Sequence, residues 1–222
     1  MSASIREQSD ELKAAAAAHL PADIAAVFAD NARQMGLQGV PGEAISVGDK
    51  LESFTLHNAT AKRVTLEELV AAGPAIIVFY RGGWCPYCNL ALRTYQQELL
   101  PQLKAFDATL VAISPQTPDD SLSTAQKAAL DFEVLSDPGS GLAKRLGIAF
   151  DQPPDVLAAQ RQLGLDLTEV NEAASTTLPM PTVLIVDSHR TVQFADVQPD
   201  YTARTEVSDI LNALTAMHPD PA

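Results

Sequence analysis

Ala75-Ile76-Ile77-Val78-Phe79-Tyr80-Arg81-Gly82-Gly83-Trp84-Cys85-Pro86-Tyr87-Cys88 is the stretch that decides the fold. Ala75 to Tyr80 is a continuous apolar run of strand length with β-branched residues, which reads as a strand buried on both faces and central in its sheet. Gly82 and Gly83 break it. From Pro86 to Leu103 the apolar residues Leu90, Leu92, Tyr95, Leu99 and Leu100 recur at helical spacing. Strand, tight turn and helix therefore follow one another within a few residues, with both cysteines of the chain at the handover.

That position has a chemical consequence. The first turn of a helix presents unpaired backbone N–H groups and the positive end of the helix dipole, and both stabilise an anion. A thiol placed there has its pKa lowered from about 8.5 towards roughly 3.5 to 7.5, and the thiolate is the reactive form. Cys85 is thus the expected nucleophile. Cys88 lies one turn deeper at a Cα separation of about 5 Å on ideal geometry, which a disulfide tolerates. Pro86 suits the first helical turn, where its missing N–H has no intrahelical acceptor. Two inert thiols or half a zinc site are the competing readings. Zinc needs about four ligands, however, and His19, His57, His189 and His218 are scattered, so redox chemistry without metal or cofactor is expected. Trp84 and Tyr87 flank the sulfur and either shape its surface or simply pack there.

Downstream, apolar segments at Thr109 to Ser114 and Phe132 to Leu135 read as strands, with helices over Asp119 to Leu130 and Leu142 to Leu146. This alternation implies parallel pairing with helical crossovers. Residues 150–179 break the rhythm. Pro153-Pro154 opens a polar, helix-prone stretch and Ala173 to Thr177 reads as loop, so the segment is treated as an insertion, equally suited to lie over the active site or in solvent. After Pro179-Met180-Pro181, Thr182 to Val186 and Thr191 to Ala195 flank Asp187-Ser188-His189-Arg190 as a hairpin, and Thr205 to Met217 closes the chain as an amphipathic helix. The sum is an α/β sandwich around a mixed sheet.

Upstream, apolar residues from Ile5 to Leu37 recur three or four apart, interrupted by Pro21, and predict two short amphipathic helices. Gly36, Gly39, Pro41 and Gly42 end the pattern before a strand-like alternation at Leu51 to Leu56. We therefore expect a helical extension over 1–44 and a redox domain over 45–222, with the boundary near Gly48. The extension can cover its own domain, a second subunit in a homodimer, or the active site.

Acidic residues number 28 against 15 Lys and Arg, a formal charge of −13. Such a chain repels phosphate backbones and anionic lipid, so nucleic acid and membrane surfaces are poor partners. The longest apolar run, Pro74 to Tyr80, is far short of the roughly 20 residues that span a bilayer. The start of the chain lacks a basic segment followed by an apolar one, and a cytoplasmic location is expected.

The strand leading into Trp84-Cys85-Pro86-Tyr87-Cys88 resembles the redox motif of thioredoxin-fold proteins, and Cys-Pro-Tyr-Cys is similar to the glutaredoxin tetrapeptide. Val78-Phe79-Tyr80, Leu110 to Ser114, Leu135-Ser136-Asp137-Pro138 and Leu142-Ala143-Lys144-Arg145-Leu146-Gly147-Ile148 resemble peroxiredoxins of the alkyl hydroperoxide reductase and thiol-specific antioxidant (AhpC/TSA) family. The likeness extends over roughly residues 45 to 215. It implies a thioredoxin-like three-layer sandwich and a thiol-dependent peroxidase. In that reading Cys85 attacks a hydroperoxide and becomes a sulfenic acid, Cys88 resolves it to a disulfide, and a thioredoxin- or glutathione-type donor reduces the disulfide.

The departures from that family are also legible. Gly82 stands where peroxiredoxins usually carry Thr or Ser, Phe79 where they carry Pro, and Pro181 where their later active-site Arg aligns. Arg81, four residues before Cys85, is the candidate to replace the lost positive charge. Pro181 resembles instead the cis-proline that faces the cysteines of thioredoxins and glutaredoxins. A cis Met180–Pro181 bond would leave backbone free to pair with a substrate peptide or glutathione. The second reading is therefore a thiol–disulfide oxidoreductase, and a third is a sensor whose dithiol alters a partner interface through the N-terminal helices. Arg93 is read as a solvated residue and Asp137 as a structural cap.

Overall fold

The computed structural model describes residues 3–117 and 129–217. Helices α1 (Ile5–His19) and α2 (Ala22–Gln38) come first, then β1 (Thr55–Asn58), β2 (Arg63–Thr65), α3 (Leu66–Leu69), β3 (Ala75–Phe79) and α4 (Pro86–Thr94). They are followed by β4 (Thr109–Ser114), β5 (Glu133–Ser136), α5 (Gly141–Arg145), β6 (Ala149–Asp151), α6 (Pro154–Gln162) and α7 (Leu167–Val170). β7 (Thr177–Pro179), β8 (Thr182–Val186), β9 (Val192–Val197) and α8 (Val207–Met217) complete the order. The helix expected over 119–130 lies, apart from Ala129 and Leu130, outside the described residues.

Among the described residues, seven strands form one mixed sheet in the order β2-β1-β5-β4-β3-β8-β9. β3 runs parallel to β4 and β4 to β5, whereas β8 is antiparallel to β3 and joins β9 as the expected hairpin. β3 is interior and wholly buried, for a reason visible in its side chains. Ile76 and Val78 join one apolar cluster with Leu92, Tyr95, Ile210 and Leu214, while Ala75, Ile77 and Phe79 join another with Leu66, Leu69, Leu142 and Leu146. Helices cover both faces, which makes a three-layer sandwich. Ile76 and Ile77 are fully buried, each contributing about 1.5–3 kcal/mol by transfer from water.

Three expectations shift. The segment at Leu51 to Phe54 is not a strand; Leu51 and Phe54 are buried as packing residues, and pairing begins at Thr55. The helix expected through Leu103 is regular only to Thr94, then widens to a π turn over Tyr95–Leu99 and tightens to a 3₁₀ turn over Leu100–Phe106. Pro101 explains this, because it has no N–H for an i→i−4 bond and its ring crowds the preceding turn. Third, the end of the 150–179 segment is ordered: a 3₁₀ turn at Glu172–Ala174 leads into β7, which pairs antiparallel with β6.

The helices α1 and α2 lie on their own chain, α1 against α4 and α2 against α6. Ser4 caps α1 in a reciprocal box with Glu7, satisfying two of the orphan donors of a helix start. Ile5 is buried in the same cluster as Cys85 and Cys88. No helix among the described residues is long and apolar enough to cross a membrane.

Candidate active site

Cys85 is the N-cap of α4, with Pro86 at the first helical position. The Cys85 carbonyl accepts from the N–H groups of Cys88 and Asn89, and the Asn89 side-chain amide donates to the Gly83 carbonyl at 2.7 Å. On the other side, the Gly83 N–H donates to Gln116 Oε1 at 2.6 Å, tying the loop to the chain just beyond β4. The turn is thus fixed at both ends, and its two sulfurs are free thiols. Both cysteines are buried at 1% exposure, so Cys88 is no deeper than Cys85, contrary to what one extra helical turn implies.

Gly82 has φ +149°, and a Cβ there would lie 2.3 Å from Trp84 Nε1. The indole folds back over the glycine and occupies the space that a threonine side chain would need. Arg81 is buried, its guanidinium 5.1 Å from the Trp84 ring centre and 4.1 Å from that of Tyr201. Such stacking holds a cation in place at low cost in hydration. Tyr87 packs edge-on against Tyr201 with ring centres 6.3 Å apart. Arg93 is exposed. Asp137 caps α5, accepting from the N–H groups of Leu142 and Ala143.

Arg204 was not legible in the sequence as a site residue. Its Nη2 donates to Cys88 Sγ at 3.0 Å and lies 3.9 Å from Cys85 Sγ, while Nη1 donates to the Tyr201 and Ala203 carbonyls. The residue is 119 positions after Cys85, in a loop without a motif; only the fold brings it there. Arg81 and Arg204 together supply two cations to the dithiol, and among the described residues no carboxylate is ion-paired to either.

The electrostatic result differs from the expected lowering at Cys85. Burial pushes the Cys85 thiol up, reinforced by its hydrogen bond to Cys88 and the charge there, against the weaker pull of Arg81 and Arg204. Burial also opposes ionisation of Cys88, but the hydrogen bond from Cys85, the charges of Arg204 and Arg81 and the Arg81 backbone N–H outweigh it and bring Cys88 well down. At Arg204 burial favours the neutral form and is in turn outweighed by the two sulfurs, chiefly Cys88. The two sulfurs titrate together, and the first charge is favoured on Cys88 over Cys85.

Pro181 lies close to the site, lining a cavity of about 10 Å³ with Cys88, Arg204, Thr205 and Gln198, room for about one water. The Met180–Pro181 bond is trans, however, and the surrounding backbone is already used. The Pro181 carbonyl accepts from Gln198 N–H at 2.8 Å and the Met180 N–H donates to Ile148. The cis-proline expectation is overturned, because no backbone is left free there for a substrate strand. In the 150–179 segment α6 packs on α2, and the end of α7 is pinned to residues 115–117 by Thr117 N–H to the Val170 carbonyl and Glu172 N–H to the Pro115 carbonyl.

The family model of AhpC/TSA matches residues 47–195. The chain belongs to the AhpC/TSA family. A Haemophilus influenzae protein named as a peroxiredoxin, bcp, is 30% identical over 107 residues, spanning 47% of this chain and 66% of its own length. Among solved structures, peroxidoxin BcpB of Mycobacterium tuberculosis superposes with a TM-score of 0.62 at 19% identity, covering 78% of this chain and 99% of that one. A PrxQ mutant of Xylella fastidiosa gives 0.63 at 16% identity, covering 79% and 99%. The fold is that of the peroxiredoxins.

Proposed function

We propose that the protein is a thiol-dependent peroxidase in which Cys85 reduces a hydroperoxide and Cys88 resolves the product. The observation that carries this reading is the sealed dithiol hydrogen-bonded by Arg204 within a peroxiredoxin fold. A site with both sulfurs buried and the Pro181 backbone consumed favours a small oxidant over a polypeptide disulfide.

One proton does the work. Cys88 thiolate takes the Cys85 proton along their hydrogen bond as Cys85 sulfur attacks the distal peroxide oxygen. The O–O bond breaks, giving Cys85 sulfenic acid and an alkoxide, or hydroxide from hydrogen peroxide. Cys88 S–H returns the proton to that leaving oxygen, which departs as alcohol or water, and Cys88 is again a thiolate. It attacks the sulfenic sulfur, forming the disulfide and releasing hydroxide, which solvent protonates. Arg81 and Arg204 offset the negative charge that moves between sulfur and oxygen throughout, the role the missing threonine and family arginine leave open. A thioredoxin-type dithiol is the proposed donor, giving up two electrons and two protons to regenerate the pair; this fits a reducing compartment such as the cytoplasm.

Stopped-flow oxidation of the pre-reduced protein by hydrogen peroxide, followed through Trp84, the sole tryptophan, tests the assignment. A second-order rate far above that of a simple thiol is expected. A rate like that of a simple thiol, together with rapid reaction with a disulfide substrate, would replace the peroxidase with an exchange protein.

A further inference from the structure

The loop between β9 and α8 carries Arg204 to the sulfurs, and the N-terminal helices hold that loop. Glu206 accepts through one carboxylate oxygen from Ile5 N–H at 3.0 Å and through the other from Arg6 N–H at 2.9 Å. It thereby caps the first turn of α1 from a point some 200 residues away in sequence, where free N–H groups and the helix dipole favour a carboxylate. Three residues ahead of Arg204, the Tyr201 hydroxyl donates to the Phe28 carbonyl of α2 at 2.9 Å. The Asp200 side chain also lies against Gly36. Tyr201 in turn gives its own carbonyl to Arg204 Nη1. Arg204 thus sits between two ties to the N-terminal helices, one on either side of it in the loop.

The main body contributes a third tie. Thr205 donates to Asp196 at 2.7 Å and its carbonyl accepts from Tyr95 at 2.7 Å. This pins the backbone beside Arg204 without reaching the guanidinium. A guanidinium at the end of a long, rotamer-rich side chain needs its surroundings fixed if it is to stay within hydrogen-bond reach of one sulfur.

We propose that Glu206 and Tyr201 are positioning residues, and that helices α1 and α2 act through them to hold Arg204 on the Cys88 sulfur, making the N-terminal extension a working part of the redox site. The proposal rests on the dithiol reading above but concerns ionisation, so it is read without peroxide. The ultraviolet absorbance of the thiolate is titrated against pH in the full-length, fully reduced chain. The proteins compared are the parent, Arg204→Met, Arg204→Lys, Glu206→Gln and Tyr201→Phe. Tyr201→Phe removes one hydroxyl and leaves the ring against Arg81, so it reports even if Glu206→Gln fails to fold.

Arg204→Met is expected to cut the thiolate population in the rising part of the titration about tenfold, the equivalent of one pKa unit, with Lys recovering part of the loss. Glu206→Gln and Tyr201→Phe are expected to move the titration in the same direction by about threefold each, around half a unit. Neither should shift it further when Arg204 is already Met. If Arg204→Met moves the titration and neither Tyr201→Phe nor a folded Glu206→Gln does, the N-terminal helices only pack and the proposal fails while the site reading stands. If Arg204→Met leaves it unmoved, the electrostatic basis of the proposal fails, and the peroxide rate separately decides the fate of the peroxidase reading.

Discussion

Arg204 Nη2 stands 3.0 Å from the sulfur of Cys88, the inner cysteine of the motif, and 3.9 Å from that of Cys85. In the proposed mechanism the cation thus bonds the resolving sulfur, and the attacking sulfur gives its proton to that neighbour. The division of labour follows from geometry. The Cys85 sulfur makes no hydrogen bond to the helix N–H groups, and burial raises its pKa.

A pH dependence follows with a definite sign. Cys88 is pushed down and Cys85 up, so the reactive thiolate is lost as pH falls and Cys88 takes a proton. The peroxide rate of the parent protein is expected to fall on the acid side. In Arg204→Met the acid limb should move up by about one pH unit, with a loss of about tenfold at pH values within the limb and less above it. Single-turnover rates across pH measure it; an alkaline limb alone in the parent would contradict the assignment of the charge.

Cysteine replacements separate the two sulfurs. Cys85→Ser is expected to abolish peroxide turnover. Cys88→Ser should leave Cys85 unresolved, trapped as a mixed disulfide or driven to sulfinic acid, and mass spectrometry after peroxide treatment identifies the species. Full activity in Cys85→Ser would invalidate the mechanism.

Arg81 lies between two aromatic rings at 3% exposure. Its replacement by Ala is expected to slow peroxide reduction about tenfold or more through loss of charge stabilisation. An unchanged rate in Arg81→Ala would leave Arg204 as the catalytic cation and reduce Arg81 to packing.

Gly82 offers a test of why the family's threonine is absent. With φ +149° and Trp84 Nε1 only 2.3 Å from where a Cβ would lie, Gly82→Thr combines a strained backbone with a clash. A loss of about 1–3 kcal/mol is expected. Chemical denaturation of the single variant and of Gly82→Thr with Trp84→Ala gives the coupling; relief of part of the loss in the double variant shows that the indole excludes the side chain.

Asp137 tests the capping expectation. Burial pushes its carboxyl up, against the two N–H bonds from Leu142 and Ala143. Asp137→Ala should cost about 1–2 kcal/mol in urea unfolding, and Asp137→Asn less, since an amide oxygen still accepts.

Local pattern carried much of this protein in its sequence. The β3 run is apolar on both faces because both faces are covered, and the glycine break, Pro86 and the cysteine spacing follow from rules that span only a few residues. The elements around β3, β4, β8 and α8 and the identity of the dithiol were legible for that reason. Pro101 lies within the stretch read as one helix to Leu103, and the break in regular hydrogen bonding emerged only in the folded chain.

What tertiary structure decided is the electrostatics of the site. Arg204, Tyr201 and Gln116 reach the motif from loops with no periodicity to read, and Glu206 reaches α1 across nearly the whole chain. The local rule placed the charge on Cys85 because a helix N-terminus favours an anion. The fold favours it on Cys88, because the Arg204 guanidinium stands at hydrogen-bond distance from that sulfur while both thiols are equally buried. Such terms depend on distance in space, which residue order fixes only once the chain has folded.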